Sequence, residues 1–197
     1  MPRPRTYERD CVVIAARDLF WQRGYEATSI SDLERQTGLN RSSLYQEFGS
    51  KHELLDAALT RYADDIVATL LADLSKPDAG LDAIAALFLR LARLFRTATR
   101  PAQSGCLLVN TIAELATRDD RVLPAAAAYR DRLRSSFRAA LESASERGEV
   151  DAASVQPRAD LLAATLMGVW LTVRIDPHDA SRLCETIAAQ TDAWRTR

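Results

Sequence analysis

The stretch TSISDLERQTGLNRSSLYQEFGSK, from Thr28 to Lys51, decides how this chain is read. Thr28 or Ser29 is placed to cap a helix whose Ile30 and Leu33 point inward, and Gly38 permits the tight turn that follows. Asn40 or Arg41 opens a second short helix, in which Leu44 and Phe48, four residues apart, share the inner face. Arg41, Ser42, Ser43, Tyr45 and Gln46 project elsewhere. Two short helices broken at a glycine, the second rich in small polar side chains, have the layout of a helix-turn-helix, whose second helix lies in the DNA major groove.

Each outward position has a matching contact chemistry. Small Ser42 and Ser43 let the helix end enter a groove closely, Arg41 suits guanine or phosphate, and Gln46 suits adenine. Tyr45 and the Thr28 hydroxyl are placed to bond phosphate, which sets register without reading sequence. Lys51 adds a charge at the start of the next helix, whose N-terminal amides also attract phosphate. The expected DNA-contacting set is Thr28, Asn40, Arg41, Ser42, Ser43, Tyr45, Gln46 and Lys51. On spacing alone, a tight helical hairpin with a wet face fits equally well.

Working outward, a helix is expected from about 7 to 23, with Val12, Ala16, Leu19 and Phe20 on one stripe and Gly24 as its stop. Before it, residues 1–5 (MPRPR) read either as a flexible start or as a basic arm touching phosphate or the minor groove. Ser50 caps a long fourth helix, about 51–74, with Leu54, Leu55, Ala58, Leu59 and Tyr62 as its apolar stripe. SKPDAG, residues 75–80, is the strongest break. Five more helices follow at about 81–99, 104–117, 120–147, 154–175 and 178–194. Arg100-Pro101, Asp119-Asp120, Gly148 with Pro157, and Asp176-Pro177 separate them. With no β-type alternation, the expected fold is all-α, of about nine helices. A DNA-binding domain over 1–50 is joined by the fourth helix to a larger domain over 51–197.

Composition narrows the function. The net charge is −1, and residues 1–60 carry eight basic side chains against nine acidic ones. Binding to DNA would therefore come from placement and not from bulk charge. Cys11, Cys106 and Cys184 are odd in number and form no CxxC pair, which suits a reducing cytoplasm. The start lacks a signal peptide's apolar core, and no apolar run approaches a membrane span of ~18 residues. Only His52 and His178 are available for acid–base work, with no triad, paired carboxylate or metal-ligand spacing, so neither an enzyme nor a cofactor is expected.

Ala16, Leu19, Phe20, Gly24, Tyr25, Thr28, Ile30, Leu33, Gly38, Leu44, Tyr45, Phe48, Lys51 and Leu54-Leu55 closely resemble the TetR family of bacterial transcription regulators in type and spacing. The resemblance implies a homodimer that places two recognition helices in successive major grooves of a palindromic operator, usually as a repressor. It also implies release by a small-molecule inducer bound in the larger domain. An activator, or a helical binding module without a DNA role, remains the alternative. Glu47 departs from the aromatic often found at its position; an acid near phosphate weakens binding or points aside.

Further along, PAQSGCLLVNTIAE (101–114) places Ser104 as a helix cap and Cys106 in the first turn, where the positive helix end favours thiolate. This Ser-Gly-Cys-Leu start is similar to one in a subset of the family that includes responders to electrophiles or oxidants. Cys106 reads as a packing residue, a pocket residue or a sensor; Cys11 and Cys184 read as packing. Apolar stripes run through Phe88, Leu91 and Phe95, through Tyr129, Leu133 and Phe137, and through Leu162, Leu166, Val169, Trp170 and Val173. Each stripe reads first as core.

The family places its inducer cavity among helices 4 to 8. That gives a ligand set of Phe88, Leu91, Phe95, Cys106, Asn110, Glu114, Tyr129, Trp170 and Arg174, suited to a small apolar, aromatic or electrophilic molecule. The last two helices form the family's dimer interface. Leu161, Leu171 and Ile187 offer apolar surface there, Ala163, Ala164 and Gly168 allow close approach, and Trp194 covers the end.

Overall fold

The computed structural model describes residues 8–97 and 103–196, and within them every regular element is helical. The 1–5 arm and the Arg100-Pro101 break lie outside the described residues. Four helices come first: α1 (Arg9–Arg23), α2 (Ile30–Thr37), α3 (Arg41–Phe48) and α4 (Lys51–Tyr62). The α4 rod runs on through a π turn (Ala63–Val67), a short α turn (Ala68–Leu71) and a 3₁₀ turn (Ala72–Ser75). Then come α5 (Leu81–Arg96), α6 (Leu107–Leu115), α7 (Leu123–Glu146), α8 (Val155–Ile175) and α9 (Pro177–Asp192), nine helices among the described residues.

The first three helices are stopped and started by local chemistry. Ser29 caps α2 in a reciprocal box: its Oγ accepts the Asp32 N–H at 3.1 Å, and the Asp32 carboxylate accepts the Ser29 N–H at 3.0 Å. Gly38, at φ +72°, ends α2 in the left-handed conformation and donates its N–H to the Glu34 carbonyl. Asn40 caps α3 by accepting the Ser43 N–H at 2.9 Å, and Ser50 caps α4 through the Glu53 N–H at 3.1 Å. Such caps each contribute about 1 kcal/mol.

Packing joins these short helices. Val12, Val13, Ala16, Leu19 and Phe20 of α1 are buried with Leu33 of α2, Leu44 and Phe48 of α3, and Leu54, Leu55 and Ala58 of α4. The α4 rod lies along α1 and also meets α6 and α7, so it is shared between the small head and the rest. In the larger part α9 packs along α5, and α8 packs along α7. Ala180, Ser181, Cys184 and Ala188 give α9 a buried face of small residues, and Ser181 Oγ donates to the Ala92 carbonyl at 3.0 Å. Phe88 stacks on Phe137 with centroids 6.1 Å apart, tying α5 to α7.

The start of α6 differs from expectation. Gly105 has φ +71°, a backbone state that breaks helical continuity, so the helix begins at Leu107. Cys106 is therefore the N-cap residue and not a first-turn residue, and Ser104 lies too early to cap.

Candidate DNA-reading head and ligand cavity

The outer face of α3 carries Arg41, Ser42, Tyr45 and Gln46, all exposed, while Leu44 and Phe48 anchor its inner face. The Arg41 guanidinium lies 5.4 Å over the Tyr45 ring, a pairing that orients both outward. Ser43 is half-buried, and Asn40 uses its side-chain oxygen as the cap. Glu47 turns aside: its carboxylate meets Arg9 Nε at 3.3 Å and is almost covered.

Two of the expected phosphate ligands are engaged elsewhere. Thr28 is fully buried, and its hydroxyl donates to the Gly24 carbonyl at 2.6 Å, closing the corner between α1 and α2. A buried hydroxyl with an internal partner offers nothing to DNA. Lys51 Nζ donates to the Tyr25 carbonyl at 2.6 Å and sits 4.0 Å over the Tyr25 ring. Burial lowers its pKa, while Glu26 and Glu114 act to raise it. Lys51 braces the corner.

A second corner contact involves His52, buried, with ring nitrogens 3.6 Å from Asp56 and 3.4 Å from Asp119. Hydrogen bonds from Arg121 hold the Asp119 carboxyl down at about 2, so it stays charged beneath the imidazole.

Between α1, the α4 rod, α5, α6, α7 and α8 lies a cavity of about 650 Å³. Of the expected ligand residues, Leu91, Cys106, Tyr129 and Trp170 line it. Cys106 Sγ approaches Tyr129 Oη at 3.6 Å. Burial pushes the Cys106 thiol up, outweighing the nearby donors, so the expectation of a thiolate does not hold. The same burial pushes the Tyr62 and Tyr129 phenols up.

The remaining members serve other roles. Phe88 and Phe95 are core, the latter edge-on to Trp170 at 5.6 Å. Asn110 donates to the Ser104 carbonyl at 2.7 Å and accepts from Arg174 at 3.0 Å, so this pair holds the turn before α6. Glu114 accepts the backbone N–H groups of Tyr25 and Glu26. The sequence reading missed Trp21, Tyr62, Ile66, Leu70, Leu94 and Gly105, which also line the cavity. Trp21 carried a readable signal, as a large aromatic lying off the apolar stripe of α1.

The expected dimer residues separate by face. Leu161, Ala164, Gly168 and Leu171 are exposed on α8, and Ile175, 85% exposed, extends their row. Ala163 is buried within its own subunit, and Ile187 is half-buried. Trp194 lies beneath the Arg158 guanidinium at 4.8 Å. Cys184 is buried on α9, in line with a packing role, but Cys11 is exposed because it falls outside the α1 stripe. Among the described residues no His/Cys/Asp/Glu cluster suits a metal ion, and no helix is long and apolar enough to cross a membrane.

Comparison with known proteins supplies the family. Residues 13–58 match the model for bacterial regulatory proteins of the tetR family, and residues 80–196 match the tetracyclin repressor-like C-terminal domain. The HTH-type transcriptional repressor ComR of Escherichia coli K12 is 39% identical over 114 residues, covering 57% of this chain and 53% of ComR. The match thus spans about half of that relative. The HTH-type transcriptional regulator YezE of Bacillus subtilis 168 is 28% identical over 155 residues, 77% of each chain. A cysteine mutant of the TetR family regulator CifR, solved with 26-bp operator DNA, superposes with a TM-score of 0.81 at 25% identity, covering 98% of this chain and 100% of that one. With both halves matched and the fold shared throughout, this chain belongs to the TetR family.

Proposed function

We propose that the chain is a ligand-responsive, DNA-binding transcription regulator. It acts as a homodimer and as a repressor, released from a palindromic operator when a small apolar molecule fills the 650 Å³ cavity. The observation that carries this reading is α3: a polar outer face of Arg41, Ser42, Tyr45 and Gln46 on a helix anchored by Leu44 and Phe48. Residues up to 50 form the reading head, and α4 joins it to the ligand-binding and dimerising remainder.

Dimerisation has its own support. Leu161, Ala164, Gly168, Leu171 and Ile175 recur at intervals of three and four, an exposed seam of the kind that pairs helices about a two-fold axis. ComR is a repressor and the CifR structure contains operator DNA, which favours the same role here. Cytoplasmic residence follows from that role.

Selection from a random duplex library tests the reading. It should return a palindrome whose half-sites lie about one helical turn apart, roughly 34–36 Å. Arg41→Ala and Gln46→Ala should each weaken that site by about tenfold or more while leaving the helical content intact. Enrichment of no common site would overturn the proposal.

A further inference from the structure

Helix α1 has two working faces. Val12, Ala16, Leu19 and Phe20 bury themselves in the reading head. Arg17 and Trp21, one turn apart, point instead into the ligand-binding part. Arg17 Nη1 meets Asp65 Oδ2 at 3.2 Å, and its side chain is only 12% exposed. Trp21 Nε1 donates to the Gly105 carbonyl at 3.0 Å, and its ring stands edge-on to Tyr62 with centroids 5.0 Å apart.

Both contacts end at the cavity wall. Trp21, Tyr62, Asp65, Ile66, Gly105 and Cys106 all line the same space. Asp65 and Ile66 belong to the π turn Ala63–Val67, and such turns are uncommon and concentrate at functional sites. The Gly105 carbonyl has little freedom. A Cβ at that residue would stand 2.7 Å from the Trp170 carbonyl, so the backbone there is closely packed.

We infer that Trp21 is a ligand-contacting residue supplied by the reading head, and that a flat, uncharged aromatic molecule in the cavity displaces its indole from Gly105 and so moves α1 directly. The inference rests on the cavity being the ligand site, as proposed above. Ligand chemistry follows from the walls. Trp21, Tyr62, Tyr129 and Trp170 present aromatic surface, which suits a planar apolar partner. The charges at the rim are already paired: Arg90 with Asp73 and the Leu70 carbonyl, Asp65 with Arg17 and Arg61. A charged ligand would have to break one of these pairs. Because Trp21 is part of α1, its displacement reaches the reading head without passing along α4.

The test uses N-phenyl-1-naphthylamine, a neutral aromatic fluorophore, with the full-length protein and its selected operator. Wild type is expected to bind the probe, and saturating probe to weaken operator binding at least fivefold. Trp21→Leu is expected to bind the probe at least fivefold more weakly. In both Trp21→Leu and Trp21→Phe, the probe's effect on operator binding should shrink below twofold, since the tie it breaks is already absent. Should Trp21→Leu fail to fold, Trp21→Phe, which keeps a smaller aromatic ring but lacks the N–H donor, decides. If wild type neither binds the probe nor responds to it, the ligand-site reading fails and takes this inference with it. If wild type responds and the folded Trp21 variants respond equally, only the role of Trp21 is overturned.

Discussion

Glu114 holds Tyr25 by the backbone: its carboxylate accepts the Tyr25 N–H at 3.0 Å and the adjacent Glu26 N–H at 2.8 Å. At the other end of α6, Gly105 accepts the Trp21 indole. The short helix α6 and the turn before it therefore hold both the α1–α2 corner, through Glu114, and the last turns of α1, through Gly105. Removing the carboxylate leaves two backbone donors without their partner, a loss of about 1–3 kcal/mol. Glu114→Ala is expected to lower the melting temperature by roughly 2–10 °C at this chain length. It should also reduce the fold-change in operator binding on ligand addition, whereas Glu114→Gln, which keeps an acceptor, should lose less of both. Calorimetry and operator titration of the two variants check this.

Gly105 tolerates no side chain. Its φ of +71° is strained for other residues, and a Cβ would press on backbone rather than on a flexible tip. Gly105→Ala should cost about 2 kcal/mol or more and shift the Trp21 fluorescence as the indole loses its partner. A variant as stable as wild type, with unchanged emission, would contradict the geometry.

The cysteines should react in an order set by burial. Cys11 is exposed, while Cys106 and Cys184 are buried with thiols pushed up, Cys184 from 9.0 to about 12. At pH 7.5 a disulfide reagent should titrate one thiol rapidly in the native protein and three after denaturation. For Cys184 the folded state holds its proton more tightly than the unfolded chain. Its contribution to stability is therefore complete below about pH 9 and is lost as pH rises towards 12. Alkaline unfolding of Cys184→Ser should be correspondingly less steep.

The α8 seam predicts the oligomeric state. A carboxylate at Leu161 or Leu171, both exposed in the single chain, would place a charge within the apolar interface proposed for α8. Leu161→Asp and Leu171→Asp should sediment as folded monomers at micromolar concentration. Their operator affinity should fall by about 10² or more, because linking two half-sites multiplies affinity on that scale. A variant that remains dimeric would move the interface elsewhere.

Much of the head was legible in the linear text because its determinants are local. The Ser29–Asp32 box, the turn at Gly38, the Asn40 cap and the Leu44/Phe48 pair all lie within a few residues of what they control. The helix periods along the larger part were readable for the same reason, as was the exposed seam at Leu161, Ala164, Gly168 and Leu171. What a polar side chain does with its hydrogen bonds is another matter, since its partner often lies far away in sequence. Thr28 and Lys51 turn inward to brace a corner, and Glu114 reaches 89 residues back to Tyr25. Cys106 lies beside a helix start, as its spacing suggests, yet burial raises its thiol where the helix end alone would lower it. Trp21 enters the cavity only because α1 is laid across the start of α6. Residue order thus settles the helices and their inward stripes, through propensity and period; which groups meet across the core, and which of them are left for DNA or ligand, is settled by packing.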